Sequence, residues 1–194
     1  RACNFGVKNS KGDYILLLNN DTVVIFQDWI ENMLCLAQEH KVGAVGAKLV
    51  YKPHLLQHIG VSLDERLVAL HYGINKNELI EPSLIAFAEN IRETSAVTAA
   101  CLMVSKAKYH EVGGLEEQLK VTYNDVDFCL KLLKKGYSNI FTPRSKLYHF
   151  ESKSVGAIST NERNMSEYEQ AKKYMTDNWS NFLEQDKYYR VPLF

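Results

Sequence analysis

The sequence predicts an α/β fold in which helices flank a mixed sheet. Short runs of aliphatic residues, typical of buried strands, alternate along the chain with segments whose apolar residues recur at helical spacing. The 194 residues are 46% hydrophobic and 24% charged, which is ordinary globular composition and enough for a sizeable core. We expect a main domain over residues 1–156 and a helical extension over 157–194 that packs on it.

The first part of the chain supplies three of the predicted strands. The apolar run "YILLL" is typical of a strand that is buried on both faces. Residues 65–93 are polar and interrupted at Pro82–Ser83, which predicts a long loop. The elements predicted before that loop are a helix closing at Lys11–Gly12, a strand over Tyr14–Leu18, an amphipathic helix over Gln27–His40, a strand over 42–51 and a weaker strand over 57–64.

The second part alternates strands with better-defined helices. A run of small and apolar residues predicts a strand over 95–106, and a short helix that Gly113–Gly114 ends follows it. The remaining predicted elements are a helix over Asn124–Lys135, two short strands within 137–143 and 146–150, and a helix over Asn161–Asn178 with one apolar stripe.

Charge and cysteine usage exclude some functional classes. Lys and Arg balance Asp and Glu at 23 each, so we expect no nucleic-acid partner. No apolar run approaches the roughly 20 residues of a membrane span. The four cysteines are scattered singly, which indicates reduced thiols and a cytoplasmic protein rather than disulfides or a zinc site.

Three polar residues, Asn19, Asn20 and Asp21, follow the first strand directly. In open α/β sheets, ligands bind beyond the carboxyl ends of the strands. A carboxylate with amide oxygens at that place suits Mg²⁺ or Mn²⁺, which keeps its other positions for water and phosphate. The alternative is that these residues cap the next helix or form an Asx-turn.

The stretch "TYNDVDF" carries a second candidate site. Asn124 has the character of an N-cap with Asp127 at the third helical position, close to a capping box. Asp125 falls in the first turn, where the helix dipole favours the ionised carboxylate, and it is a candidate general base for a hydroxyl. Both acids could equally serve only the helix terminus.

The third candidate is His149, at the end of the short run "KLYHF". Glu151, Ser152, Ser154 and Gly156 follow it. A histidine at a strand end can ligate a metal or contact phosphate, but a half-buried, hydrogen-bonded histidine without such a role is the more frequent case.

Together, and in this order, these motifs resemble a known family. The chain is similar to the C-terminal two-thirds of an inverting, GT-A-type glycosyltransferase of family 2, in a branch with rhamnosyltransferase-like enzymes of cell-surface polysaccharide synthesis. The resemblance covers residues 1–156. It depends on "RACNFGVKNSKGDYILLLNNDTVV", "VGAVGAKLVY" with "QHIGV", "VTAACLMVSKAKYHEVGGLEE", "NDVDFCLKLLKKGY" and "LYHFESKSVG".

The resemblance implies roles for the three sites. Asn19–Asp21 falls on the family's Asp-x-Asp motif, so Asp21 would ligate the metal that holds the donor diphosphate. Asp125 falls on the catalytic base, although Asn124 replaces the family's Glu before it. His149 matches a histidine near the metal. The implied substrate-binding residues are Arg1, Asn4, Asn19, Asn20, Thr98, Ala99, Ala100, Gly113, Gly114 and Asn124.

The resemblance also implies partners and leaves alternatives open. It implies a UDP- or dTDP-sugar donor and a saccharide or lipid-linked acceptor. Because the family's first, nucleotide-binding strands are not recognised in the sequence, we expect a fragment that could self-associate through an open sheet edge. We interpret the aromatic tail as packing on that sheet or a partner, with peripheral contact to the inner face of a membrane as the alternative. A non-catalytic assembly module and a metal-dependent phosphohydrolase are the competing functions.

Overall fold

The computed structural model describes residues 1–80, 82–120, 122–150 and 162–189. The helices are α1 (Ala2–Asn9), α2 (Trp29–Ala37), α3 (Pro82–Glu89), α4 (Lys106–Glu111), α5 (Asn124–Lys134) and α6 (Glu162–Glu184). The strands are β1 (Tyr14–Leu18), β2 (Thr22–Val24), β3 (Val42–Lys52), β4 (Leu55–His58), β5 (Val61–Asp64), β6 (Val68–His71), β7 (Arg92–Thr94), β8 (Cys101–Ser105) and β9 (Ser138–His149).

The central sheet is mixed and follows the order β1-β8-β3-β9-β2. The long strands β3 and β9 run parallel, and the other pairs are antiparallel. On one side of β3, β8 pairs with Ala44–Gly46 and β4 pairs with Leu49–Lys52. On the other side of β9, β7 pairs with Asn139–Phe141 and β2 pairs with Leu147–His149. The prediction of an α/β fold with a mixed sheet is confirmed.

Strand β3 separates two hydrophobic cores. Its residues are buried from Val42 to Val50, and their side chains alternate between the two faces of the sheet. Val45, Ala47 and Leu49 pack with α2, whereas Ala44 packs with α5 and α6. Gly46 lets the backbone of β3 approach Val97 closely, because a Cβ at position 46 would lie 2.4 Å from the Cβ of Val97.

The described part of the C-terminal segment lies on the α5 core. Ala171, Met175, Trp179 and Leu183 form a buried stripe along α6. The indole Nε1 of Trp179 donates a 2.9 Å hydrogen bond to Oδ1 of Asp127, which is fully buried. Within the described tail, Tyr189 contacts Arg92 through a 2.8 Å hydrogen bond. None of the helices in the described ranges is long and apolar enough to cross a membrane.

A buried ion cluster, here called the Lys48 cluster, ties β3 to α3 and to the segment before it. Lys48, only 1% exposed, pairs with Glu78 and lies 2.6 Å from Glu89. Lys146 lies 3.5 Å from Glu78. Burial acts to raise the pKa of the Glu78 carboxyl, but the hydrogen bond and charge of Lys48, with Lys146 nearby, hold that pKa below its ordinary value.

Several predicted elements were wrong in type or extent. The predicted loop over 65–93 contains β6, α3 and β7, and the predicted strand over 95–106 is regular only from Cys101 to Ser105. The two short strands predicted after α5 are one strand, β9. Its pairing with β3 skips three residues between Thr142 and Lys146, so Pro143 occupies an irregular position without ending the strand.

Two further boundaries differ from their sequence signals. The weak strand predicted over 57–64 is two strands, β4 and β5, separated at Gly60, whose φ of +105° turns the chain. Helix α1 ends at Asn9, before the predicted Lys11–Gly12 closure. There Ser10 is extended and its hydroxyl donates to the carbonyl of Val7, which satisfies the helix end without a glycine.

Candidate active site

The candidate site begins where β1 ends. Leu18 is the last residue of β1 to pair with β8, and the amide of Asn19 then donates to the carbonyl of Ala100 over 3.0 Å. The hydroxyl of Thr22 donates to the carbonyl of Asn19, closing a turn into β2. Because α2 starts only at Trp29, Asn19–Asp21 form a turn between two strands and do not cap a helix.

His149 closes the other side of this turn. It ends β9 and pairs with Thr22, and the amide of Phe150 donates to the carbonyl of Asp21. Its Nε2 lies 3.2 Å from Oδ1 of Asp21 and 3.1 Å from Nδ2 of Asn19. We call Asn19, Asp21 and His149 the Asp21 cluster. Asn19 and His149 are 130 positions apart in the sequence, and strand pairing brings them together.

The donor atoms of the Asp21 cluster fit a divalent cation. When the proton of the neutral imidazole is on Nδ1, Nε2 of His149 and Oδ1 of Asp21 are both acceptors, and a cation between them would bind both. Their 3.2 Å separation is close to that of adjacent ligands around an octahedral ion with bonds of about 2.1 Å. No group of three or more His, Cys, Asp or Glu side chains within the described ranges is arranged to hold a metal. An ion here would therefore keep positions for water and phosphate oxygens.

Asp125 lies in the first turn of α5 and is held by two backbone amides. Ala99 donates to its Oδ2 over 3.0 Å, and Val126 donates to its Oδ1 over 2.9 Å. Each oxygen has a further lone pair, so the half-buried carboxylate can accept another hydrogen bond. The sequence alone left open whether Asp125 only serves the helix terminus; the structure shows that it also fixes the segment before β8.

The predicted capping box at α5 is wrong. The N-cap is Tyr123, whose φ of +63° is left-handed, and Asn124 is already helical. The Asn124 amide lies 3.5 Å from the carbonyl of Leu119. Asp127 bonds Trp179 and the ammonium of Lys131, 2.7 Å away, rather than the helix start. The signal was ambiguous because an acid at that position can face either the N-terminus or a packed neighbour.

A chain of hydrogen bonds links Asp125 to the Asp21 cluster. Asp125 binds the amide of Ala99, and the next residue, Ala100, accepts from the amide of Asn19. Asn19 in turn contacts His149. Thr98 supports this segment, since its hydroxyl accepts from the amide of Ala100. Residues 98–100, here called the shared loop, therefore connect the candidate general base Asp125 with the candidate metal site at Asp21.

A cavity of about 530 Å³ opens beside this loop. Asn19, Ala99 and Asn124 line it, together with residues of α1 and β1. Its wall includes the side-chain amides of Asn19 and Asn124 and residues of β1, so it can present hydrogen bonds and apolar surface to one ligand.

Arg1, Asn4 and the Gly113–Gly114 turn, predicted to bind substrate, do not line this cavity; Asn4 instead contacts the residues around the turn. Asn4 accepts from the amide of Leu115 and from the hydroxyl of Tyr109, and its Nδ2 donates to the carbonyl of Leu115. Arg1 pairs with Glu117 at 3.1 Å on the surface. Gly114 has φ of +70°, and a Cβ there would lie 2.9 Å from Asn4. Asn4 therefore fixes the turn through its side chain.

One residue of the site, Gln57, received no role from the sequence alone, although it begins the motif "QHIGV" on which the family resemblance depends in part. Its Oε1 lies 2.8 Å from Nδ1 of His149. A glutamine in the middle of an apolar strand is the signal that could have identified it, because such a side chain needs a buried partner. The residues that follow His149 in the predicted motif lie outside the described residues; they are Glu151, Ser152, Ser154 and Gly156.

The chain is similar to known proteins in sequence and in fold. The chain is 40% identical over 181 residues to the protein y4gI of Sinorhizobium fredii and 31% identical over 153 residues to the O-antigen biosynthesis protein RfbC of Myxococcus xanthus. These alignments cover 91% and 78% of this chain but 19% and 12% of the relatives. The chain thus spans less than a fifth of the length of each of these curated relatives.

The fold is similar to that of solved GT-A glycosyltransferases. The crystal structure of GalNAc-T7 with UDP, GalNAc and Mn²⁺ superposes with a TM-score of 0.65, covering 93% of this chain and 35% of the other at 12% identity. The family model for glycosyl transferase family 2 matches residues 1–97, which is half of the chain. The chain therefore belongs to glycosyl transferase family 2.

Proposed function

We propose that this chain carries the catalytic site of a metal-dependent glycosyltransferase that inverts the configuration of the transferred sugar. The main support is the path of hydrogen bonds that runs from Asp125 to the Asp21 cluster through Ala99, Ala100 and Asn19. A transferase of this kind needs a base for the acceptor hydroxyl and a cation for the leaving diphosphate, a few ångströms apart.

Asp21 and His149 would hold the cation, Mg²⁺ or Mn²⁺, through Oδ1 and Nε2. Bound there, a divalent ion neutralises the charge that develops on the departing nucleoside diphosphate. Asn19 and Asn20 sit in the exposed turn beside these ligands, where their amides can bond the sugar or ribose.

Asp125 would take the proton of the attacking hydroxyl. Two amide donors hold its carboxylate in one orientation, which leaves a fixed lone pair for the acceptor. The hydroxyl attacks the anomeric carbon from the face opposite the diphosphate, so inversion follows and no covalent enzyme intermediate forms. Thr98, Ala99 and Ala100 would form the floor of the sugar pocket.

The donor would occupy the cavity beside α1. We propose that the donor is a UDP- or dTDP-sugar. The residues that would contact it include Arg1, Asn4, Gly113, Gly114 and Asn124. The name of the RfbC relative, an O-antigen biosynthesis protein, supports a role in cell-surface polysaccharide synthesis. The proposed acceptor is a saccharide or a lipid-linked molecule. We propose a cytoplasmic location, and self-association or membrane contact through the open sheet edge and tail.

Calorimetric titration of UDP in the presence of Mn²⁺ tests this function. We expect binding that EDTA abolishes and that Asp21→Ala removes. Asp28→Ala, which changes an exposed aspartate at the start of α2, is the matched control and should bind as the unmodified chain does. Equal UDP binding with Mn²⁺ and with EDTA would contradict the proposed metal site.

A further inference from the structure

We propose that Gln57 is a positioning residue that sets His149 for cation binding. This inference rests on the proposed function, because it concerns the same Asp21–His149 site. It adds a residue from β4, an element that carries none of the candidate ligands, and it assigns that residue a specific task.

The contact crosses the sheet. β4 and β9 pair with opposite sides of β3, so Gln57 and His149 are separated by one strand. Their side chains meet above β3, where Nδ1 of His149 donates to Oε1 of Gln57 over 2.8 Å. Gln57 is 3% exposed and His149 is 8% exposed, so water does not compete freely for this bond.

The backbone of β4 is irregular at this residue. Leu49 pairs with His58, but the next residue, Val50, pairs with Leu56. Gln57 is thus the extra residue of a β-bulge. A bulge redirects the side chain of its extra residue, and here it gives the glutamine a direction that regular pairing would not provide.

The hydrogen bond selects one tautomer of His149. With the proton on Nδ1 and directed at Gln57, Nε2 carries the lone pair; it lies 3.2 Å from Oδ1 of Asp21 and 3.1 Å from Nδ2 of Asn19. Ligating histidines are oriented in this way by a carbonyl or carboxylate on the other ring nitrogen. Without the acceptor, the ring could rotate or carry its proton on Nε2, which would block the ligand position.

Three variants separate positioning from simple packing. Gln57→Met keeps the volume and removes the acceptor, Gln57→Glu keeps the acceptor, and Gln38→Met changes an exposed glutamine at the end of α2. Mn²⁺ affinity is measured by titration with the electron paramagnetic resonance signal of free Mn²⁺. We expect Gln57→Met to weaken Mn²⁺ binding by about 10- to 100-fold. Gln57→Glu and Gln38→Met should bind within a few-fold of the unmodified chain.

Nitrogen-15 NMR of the metal-free, unmodified chain adds a readout that does not depend on any variant folding. With the imidazole neutral, we expect the proton of His149 on Nδ1. A proton on Nε2, or equal Mn²⁺ affinity in Gln57→Met, would overturn the role of Gln57 while leaving the metal site intact. Failure of the unmodified chain to bind Mn²⁺ would instead overturn the proposed function itself, and this inference with it.

Discussion

The Lys48 cluster and the Asp21 cluster each set a carboxylate against a nitrogen on a strand of the central sheet; the cation of the first is a lysine, and that of the second would come from solution. In the Lys48 cluster, the cation is an ammonium group that is 1% exposed and permanently attached to β3. In the Asp21 cluster, a carboxylate faces a ring nitrogen 3.2 Å away, and the other ring nitrogen is held by Gln57. A covalently attached cation stabilises the fold, whereas a site that takes its cation from solution can serve a ligand.

The comparison therefore predicts separate consequences of substitution. Changes in the Asp21 cluster and Asp125 should alter binding and catalysis with small effects on stability. Changes in the Lys48 cluster should alter the free energy of unfolding first.

Replacement of the proposed base should have the largest effect. Asp125→Asn should lower kcat by about 10²- to 10⁴-fold, because the neutral amide cannot accept the proton of the acceptor hydroxyl. UDP binding with Mn²⁺ should persist, which shows that the site is otherwise formed. The measurement is a transfer assay with calorimetry on the same sample, and undiminished turnover would remove Asp125 from the mechanism.

Removal of the buried ammonium should have the next largest effect. Lys48→Met leaves Glu78 and Glu89 without their main partner, so the free energy of unfolding should fall by about 3–5 kcal/mol. Lys173→Met is the matched control, because Lys173 pairs with Asp177 on the exposed surface of α6 and should cost less than about 1 kcal/mol. Urea unfolding measures both. Equal losses would show that burial does not distinguish the two pairs.

A methyl group beneath the shared loop should have an intermediate effect. In Gly46→Ala, the new Cβ meets the side chain of Val97, two residues before Ala99. We expect a loss of about 1–3 kcal/mol from overpacking and a parallel drop in UDP affinity as the loop shifts. Gly6→Ala is the control for stability alone, since nothing lies within 4 Å of its added Cβ but Gly6 lines the cavity proposed for the donor. Unchanged stability in Gly46→Ala would show that the close contact with Val97 is not needed.

The pH dependence of the Lys48 cluster should be the smallest effect. The pKa of Glu78 is lower in the folded chain than its ordinary value of 4.5. The stabilisation is therefore fully present above about pH 4.5 and is lost as the pH falls through the folded-state pKa. Urea unfolding between pH 7 and pH 3.5 should show a smaller loss for Glu78→Gln than for the unmodified chain. Identical pH profiles would contradict this.

Local sequence patterns predicted much of the fold and where the candidate site residues lie in it. β1 and the existence of α2, α5 and α6 follow from apolar periodicity, and Asp21, Asp125 and His149 were identified at their element ends. The patterns failed where tertiary pairing decides. Pro143 split β9 in the prediction, although a register shift accommodates it. Residues 65–93 lack clear periodicity, yet β6 forms there by pairing with the preceding strand β5, and α3 and β7 form against the distant strand β9.

Gln57 shows most clearly why the rest of the site could not be predicted. Its proposed role as a positioning residue depends on a bulge in β4 and on β3 lying between β4 and β9. Neither feature has a local signature, because both arise from the pairing of segments far apart in the chain. The side-chain partners of Asn4 and Asp127 depend on tertiary packing in the same way.

The central claim is that the Asp21–His149 pair takes a cation from solution, and the direct test is pulsed electron paramagnetic resonance of Mn²⁺ bound to the unmodified chain. The account predicts modulation from one directly coordinated imidazole nitrogen, which Nε2 of His149 would supply. Mn²⁺ that binds with water and oxygen ligands alone, without a coupled nitrogen, would contradict the claim that His149 and Asp21 form the metal site.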